Sequence, residues 1–504
     1  MNTTRCTLLL LALSSAVPLL AQSDVGEVAF ANSGAPAAQE AFLRGLALLH
    51  NFEYPDAAVA FRKAQEADPS FAMAYWGEAL TYTHPVWFQQ NAEAARAALR
   101  RLGATPEERA AKAGTEREKD YLRTLDVLYG EGEKNDRDVR YAEAMRVLHE
   151  TYPDDVDATA FYALSLLGTA HEGRDFATYM RAAALLEEVF PAHRGHPGVL
   201  HYLIHCYDDP VHAPLGMRAA RLYGAVAPNA GHALHMTSHI FVALGMWDDV
   251  IDANRRAIAV VNQQRAAASK QPGECGHYPT WLHYAYLQER RFDEARRALD
   301  VCRASAFSEG FRSAGPMDTQ QDRMDAYADM RAHQVANGGT LTAADTVTIP
   351  DNPDSAGARF MLAYADLLAA AQRNDLEAVK KSAAQLQALQ HGVHDAMKHD
   401  GSMNPSYRIR IEVMVQEANA LQAIAAGKRA EGIALLQAAA KAEEGMPLEF
   451  GPPVVPKPAA ELLAEQLLAA GRAAGAEAAY RGVLARMPQR AVAVTGLAQA
   501  AKGK

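Results

Sequence analysis

QEAFLRGLALLHNFEYPDAAVAFRKAQEADP, residues Gln39 to Pro69, decides the fold. It reads as one helix-turn-helix unit. Gly45, Ala57, Phe61, Ala64 and Pro69 fall at relative positions 8, 20, 24, 27 and 32 of a 34-residue period, where small residues let two paired helices approach closely. The next segment, FAMAYWGEALTYTHPVW, stays in register, with Tyr75, Ala79 and Tyr82 at positions 4, 8 and 11 of a second unit. Similar anchors recur downstream. Tyr207 and Pro228 mark one unit, Phe241, Gly245, Trp247 and Ala257 the next, Tyr286, Phe292 and Ala295 a third, and Gly471, Ala476, Tyr480 and Pro488 one near the C-terminus.

This spacing resembles the tetratricopeptide repeat (TPR) family. From Gln39 to Ala500 the chain is rich in Ala, Leu, Glu and Arg, its apolar residues keep helical spacing, and no alternating strand runs recur. The expected fold is all-α: a TPR-like α-solenoid of antiparallel helix pairs, wound as a right-handed superhelix, in which each pair buries its apolar face on the next. Irregular stretches at 83–108, 307–320, 337–354 and 445–458 interrupt it, and the first, third and last are placed to fold over the groove. One continuous solenoid over 39–504, with inserts near 83–108 and 337–354, is expected after an N-terminal extension at 22–38.

The chain has 504 residues, 49% hydrophobic and 22% charged, which excludes disorder. Its net charge of -10 and lack of Lys/Arg runs argue against a nucleic-acid partner. MNTTRCTLLLLALSSAVPLLA reads as a signal peptide over residues 1–21, with Arg5 before an apolar run from Leu8 to Leu20. Export to a periplasmic or extracellular compartment follows, with no membrane span expected after its removal. Three cysteines then remain, Cys206, Cys275 and Cys302. One disulfide can form among them, and the spacing leaves its partners open.

Histidine carries the functional signal. Nine of the 18 His lie between His171 and His239, where chance placement gives about two or three. In HPGVLHYLIHCYDDP, His201 and His205 are four apart and Asp208 and Asp209 follow; in GHALHMTSHIF, His232, His235 and His239 are separated by three and four. On helices each set forms one stripe. The TPR resemblance sharpens the placement, because the first helix of each repeat in that family lines the concave surface. Its register puts His201, His205, Asp208 and Asp209 at groove positions 5, 9, 12 and 13, and His232, His235 and His239 at positions 2, 5 and 9 of the next repeat. His84, His277 and Glu461 also fall at groove positions.

Imidazole pairs four residues apart, with a carboxylate to neutralise charge, suit a divalent transition metal; Zn, Fe, Mn, Cu and Ni are not distinguished by this donor set. The expected metal ligands are His201, His205, Asp209, His232, His235 and His239, enough for one or two ions. His84, His277 and Glu461 are further groove contacts, and Asp208 is the candidate general base. No HExxH, GxSxG, GxGxxG or Walker loop is present. The expected function is an exported repeat protein whose concave groove carries a His/Asp metal site, with catalysis left open. The alternative is a non-enzymatic scaffold whose groove holds a peptide or protein partner, and the ligands expected in the groove are a peptide, a protein or a small molecule.

Within the TPR family the chain is similar to secreted bacterial proteins with segments like AYWGEALTYTHPVW, HPGVLHYLIHCYDDP, AGHALHMTSHIFVALGMWDD and FGPPVVPKPAAELL. That resemblance implies an exported bacterial protein and a single site built from the His segments. It implies no reaction.

Overall fold

The structure, a computed structural model, describes residues 21–313, 318–399 and 405–503, so the expected leader lies outside it except for Ala21. Among the described residues, twenty-three α-helices succeed one another between Pro36 and Lys502, and consecutive helices pack on each other throughout. The chain is an all-α, TPR-like solenoid. The first pair, Pro36–His50 and Tyr54–Ala67, shows why these residues pack so closely. Phe61 is fully buried between Gly45 and Gly77, where an added Cβ would stand 2.9 and 2.3 Å from its ring. Any larger residue at Gly77 would force the third helix, Ala72–Leu80, away.

Buried apolar side chains form two groups, one spanning Val25 to Ala295 and the other Cys275 to Ala500. They meet at the helices His277–Gln288 and Phe292–Ala306. The C-terminal repeat also returns to the middle of the chain. Trp247 donates its indole N–H to the Gln489 carbonyl at 3.2 Å, and Gly245, at φ +69°, leaves no room for a Cβ against Gln489. Cys275 and Cys302 form a disulfide, and Cys206 is a buried free thiol.

The insert at 83–108 is more ordered than expected. Residues 83–90 form a two-stranded hairpin, pairing Thr83 with Gln90 and His84 with Gln89, with a 3-10 turn at Pro85–Trp87. Helices Ala92–Leu102 and Pro106–Ala110 follow, each started by a side-chain cap, Asn91 and Thr105. Residues 337–354 hold only the 3-10 turns Ala343–Asp345 and Pro353–Ser355. The N-terminal extension contributes a second hairpin, Ala21–Ser23 with Gly26–Val28. Gly26 packs on Pro197, and the Asn51 side chain donates to the Val25 carbonyl at 2.7 Å. This ties the first helix pair to the helix that begins at Pro197.

Candidate metal centre

Two helices supply the site, Pro197–Tyr207 and Gly231–Leu244. Every residue of the first and all but the last of the second are buried, the mark of helices at the centre of a fold rather than on its surface. Gly198 permits the approach of the Pro36–His50 helix, since a Cβ there would stand 2.3 Å from His50 Nδ1. That approach brings the His50 carbonyl to the site.

His201, His205 and His232 bring one ring nitrogen each to within 4.8 Å of the others. The Nε2 atoms of all three are buried and have no hydrogen-bond partner among the described residues. Two of the rings are oriented from behind. His201 Nδ1 donates to the His50 carbonyl at 2.7 Å, and His205 Nδ1 lies 3.4 Å from Asp208 Oδ2. A proton on Nδ1 leaves the Nε2 lone pair free, so these imidazoles present acceptors, not donors, to their common point. Buried polar atoms normally find partners, and two acceptors beside a third partnerless ring nitrogen make a group able to hold a cation. Burial holds His201 and His232 well below the ordinary imidazole pKa, which keeps them neutral and competent as ligands.

A second triad, His235, His239 and His277, adjoins the first. His235 Nδ1 faces Asn254 Oδ1 at 2.8 Å, and Asn254 is fixed in that orientation because its amide donates to the Val250 carbonyl. His239 Nδ1 donates to Asp208 Oδ2 at 2.9 Å. The remaining nitrogens, the two Nε2 atoms, stand 3.2 Å apart. Asp208 thus supports a ring of each triad. Its burial alone would raise its pKa, but Arg174 and the hydrogen bonds from His205 and His239 hold it far below the carboxylate range.

Aromatic rings enclose the cluster. Phe52 lies 4.3 Å from the His201 ring centre and 5.7 Å from that of His232, while Trp87 of the hairpin meets His232 edge-on at 5.9 Å. His239 is sandwiched: Trp281 stacks on it at 4.5 Å and Phe450 at 5.0 Å. Phe450 comes from the segment between the helix Arg429–Glu444 and the helix Ala459–Ala469. Gly451, at φ +88°, presses that strap onto Trp281, where a Cβ would stand 2.3 Å from the ring. The strap and the hairpin together wall a cavity of about 200 Å³ whose lining includes Phe88, Arg174, Tyr179, Arg410 and Phe450.

The five expected histidines and His277 therefore lie together, but the carboxylates depart from expectation. Asp209 turns away from the rings; it accepts from His212 Nδ1 at 2.9 Å and from the Val211 and His212 backbone amides, and it pairs with Arg174 at 3.3 Å. It closes a turn and takes no place among the ligands. Asp208 is not poised as a general base either, because one oxygen pairs with Arg174 and the other accepts from His239. Glu461 is fully buried elsewhere, between Arg490 and Lys457. His84 stacks on Tyr54 at 4.1 Å, one ring removed from Phe52, and stays outside both triads. Residues that the sequence did not single out include His50, Asn254, Arg174 and Phe450. Their roles arise from contacts across the superhelix that local spacing does not encode.

A further group, His50, Asp157 and His196, has its hydrogen bonds satisfied. His50 accepts from the Tyr202 hydroxyl and donates to Asp157, both at 2.9 Å, and His196 caps the Pro197 helix through the Val199 amide. These groups fix the fold behind the site.

No protein-family model and no curated protein matches the chain. Among solved structures it is similar to the APC/C hetero-tetramer Cut9-Hcn1, at 13% identity over 95% of this chain and 79% of that chain, with a TM-score of 0.35. It is also similar to yeast Tom70, at 10% identity over 92% of this chain and 95% of that chain, with a TM-score of 0.34.

Proposed function

We propose that the protein is an exported repeat protein that holds a divalent transition metal ion inside its superhelix, through His201, His205 and His232, and uses it to engage a small ligand. The three buried, partnerless Nε2 atoms are the observation that carries this reading. His201, His205 and His232 would hold the ion and leave a coordination position open, and the ion would supply Lewis-acid chemistry there. The chain's own groups do the rest. The His50 carbonyl and Asp208 set the ring tautomers, Phe52 and Trp87 exclude water, and the cavity beside Phe450 offers a bound ligand room. Zn, Fe, Mn, Cu and Ni all fit imidazole donors.

The strap bears on the scaffold alternative. An extended peptide in the groove would meet Phe450 and Gly451 where they already lie on His239 and Trp281, which favours a small ligand over a peptide at this end. The Cys275–Cys302 disulfide supports the expected export, since such bonds persist in oxidising compartments.

Elemental analysis of protein prepared without a His tag tests the reading. At least one equivalent of metal is expected, lost in His201→Ala/His205→Ala with the helical circular dichroism unchanged. Less than a tenth of an equivalent after incubation with Zn²⁺, Mn²⁺ and Fe²⁺ would overturn it.

A further inference from the structure

We infer that His235, His239 and His277 hold a second metal ion beside the first, making the centre binuclear with Asp208 as its shared support. The inference rests on the reading of the first triad as a metal site.

Hydrogen bonds fix the tautomers of His235 and His239. His235 must carry its proton on Nδ1, because that nitrogen faces an amide oxygen whose orientation is fixed by a second hydrogen bond. His239 must carry its proton on Nδ1, because that nitrogen faces a carboxylate. Two lone pairs are then directed at each other across 3.2 Å between two buried rings. An ion removes the conflict. Two nitrogens bound at about 2.0–2.1 Å to one tetrahedral ion stand roughly 3.3 Å apart, close to the observed separation. His277 supplies the third nitrogen, its ring 4.5 Å from that of His235.

The ring nitrogens gather in separate groups, those of His201, His205 and His232 in one and those of His235, His239 and His277 in another. The rings divide into two threes, with His205 and His239 meeting edge-on at 5.6 Å. One carboxylate oxygen serves both, as Asp208 Oδ2 lies 2.9 Å from His239 Nδ1 and 3.4 Å from His205 Nδ1. A carboxylate behind two ligands of neighbouring ions couples their affinities. The two triads also differ in access. His201, His205 and His232 are buried, whereas His277 is exposed at the start of its helix, so the second ion exchanges with solvent more readily.

Co²⁺ added to tag-free protein in a metal-buffered solution tests this, read by stoichiometry and by visible absorption. Wild type is expected to bind two equivalents and to release them to a chelator in two phases. His277→Ala, which alters an exposed residue, is expected to bind one and release it in one phase, the second site weakening at least about 100-fold; His277→Gln guards against any effect of lost bulk. One equivalent in wild type, unchanged in His277→Ala, overturns the second site and leaves the first, a proton then lying between His235 and His239. Two equivalents retained in both variants also overturn it. No binding in wild type overturns the first reading itself.

Discussion

Asp208 and His239 are joined by a 2.9 Å hydrogen bond across 31 residues of sequence, and Arg174 grips the same carboxylate from the other side. Asp208→Asn keeps the shape but removes the charge that fixes the His239 tautomer and balances Arg174. Metal affinity is expected to fall about 10–100-fold, measured by competition with a chromophoric chelator. Asp208→Leu goes further, leaving the buried Arg174 to Asp209 at 3.3 Å and the Tyr179 ring, and should lower stability by about 3–5 kcal/mol in urea unfolding.

Acid should draw stability from the metal-free protein through the buried, neutral imidazole of His50. Burial pushes His50 down to about 4 from an unfolded value of 6.5, so the unfolded chain binds the proton first as pH falls. Stability from this group is complete above about pH 6.5 and declines through the window down to about pH 4, by about 3 kcal/mol in all. Urea midpoints taken from pH 7.5 to 4.5 should fall accordingly. In His50→Gln the slope should be shallower; an unchanged slope would count against the neutral buried imidazole.

The strap gives a kinetic prediction. Gly451→Val combines a strained φ of +88° with a Cβ placed 2.3 Å from Trp281, so the strap must lift and Phe450 must leave His239. Chelator-driven metal loss is expected to accelerate at least tenfold, and Trp281 fluorescence should shift to the red. Equilibrium stability should fall by roughly 1–3 kcal/mol.

How far could the sequence be read? Helix pairing was legible because Gly45, Ala57, Phe61 and Ala64 report local contacts within one unit, and the histidine stripes because five of them sit on two straight helices. Asp208 and Asp209 escaped that logic. The helix ends at Tyr207, and Asp208, at φ -79° and ψ 44°, leaves helical geometry, so a periodicity carried past the end assigned the wrong carboxylate. Glu461 shows the other limit. Its groove position said nothing of Arg490, which reaches it from 29 residues further along. The closure of Phe450 over His239 depends on the C-terminal repeat returning to the middle of the chain, and no window of residues records that.

Glu461 should matter to stability and not to metal. Burial alone would raise its pKa, yet Arg490 and Lys457 hold it below the usual value. Glu461→Ala leaves Arg490 buried without its carboxylate, while Lys457 keeps Glu465, and a loss of about 3–5 kcal/mol is expected in denaturant unfolding. Metal content of the folded variant should be unchanged, and a parallel loss of metal would assign Glu461 to the site after all.

Removing the disulfide tests the join between the two halves of the core. Cys275 and Cys302 close a loop of 27 residues, and such a crosslink contributes about 3.5 kcal/mol by restricting the unfolded chain. Cys275→Ala/Cys302→Ala should unfold at lower urea. Its visible Co²⁺ spectrum should also change, because Cys275 sits two residues before His277.

The strap also gives the centre a history. Every ring of the two triads has been synthesised once residue 277 is made, while the ring that covers His239 belongs to a segment built much later in the chain. Ion capture and enclosure are therefore separate events in time. A fragment cut before Phe450 would own all its ligands and still leak, and proteolysis in that one loop would convert a sealed centre into an open one without touching a single imidazole.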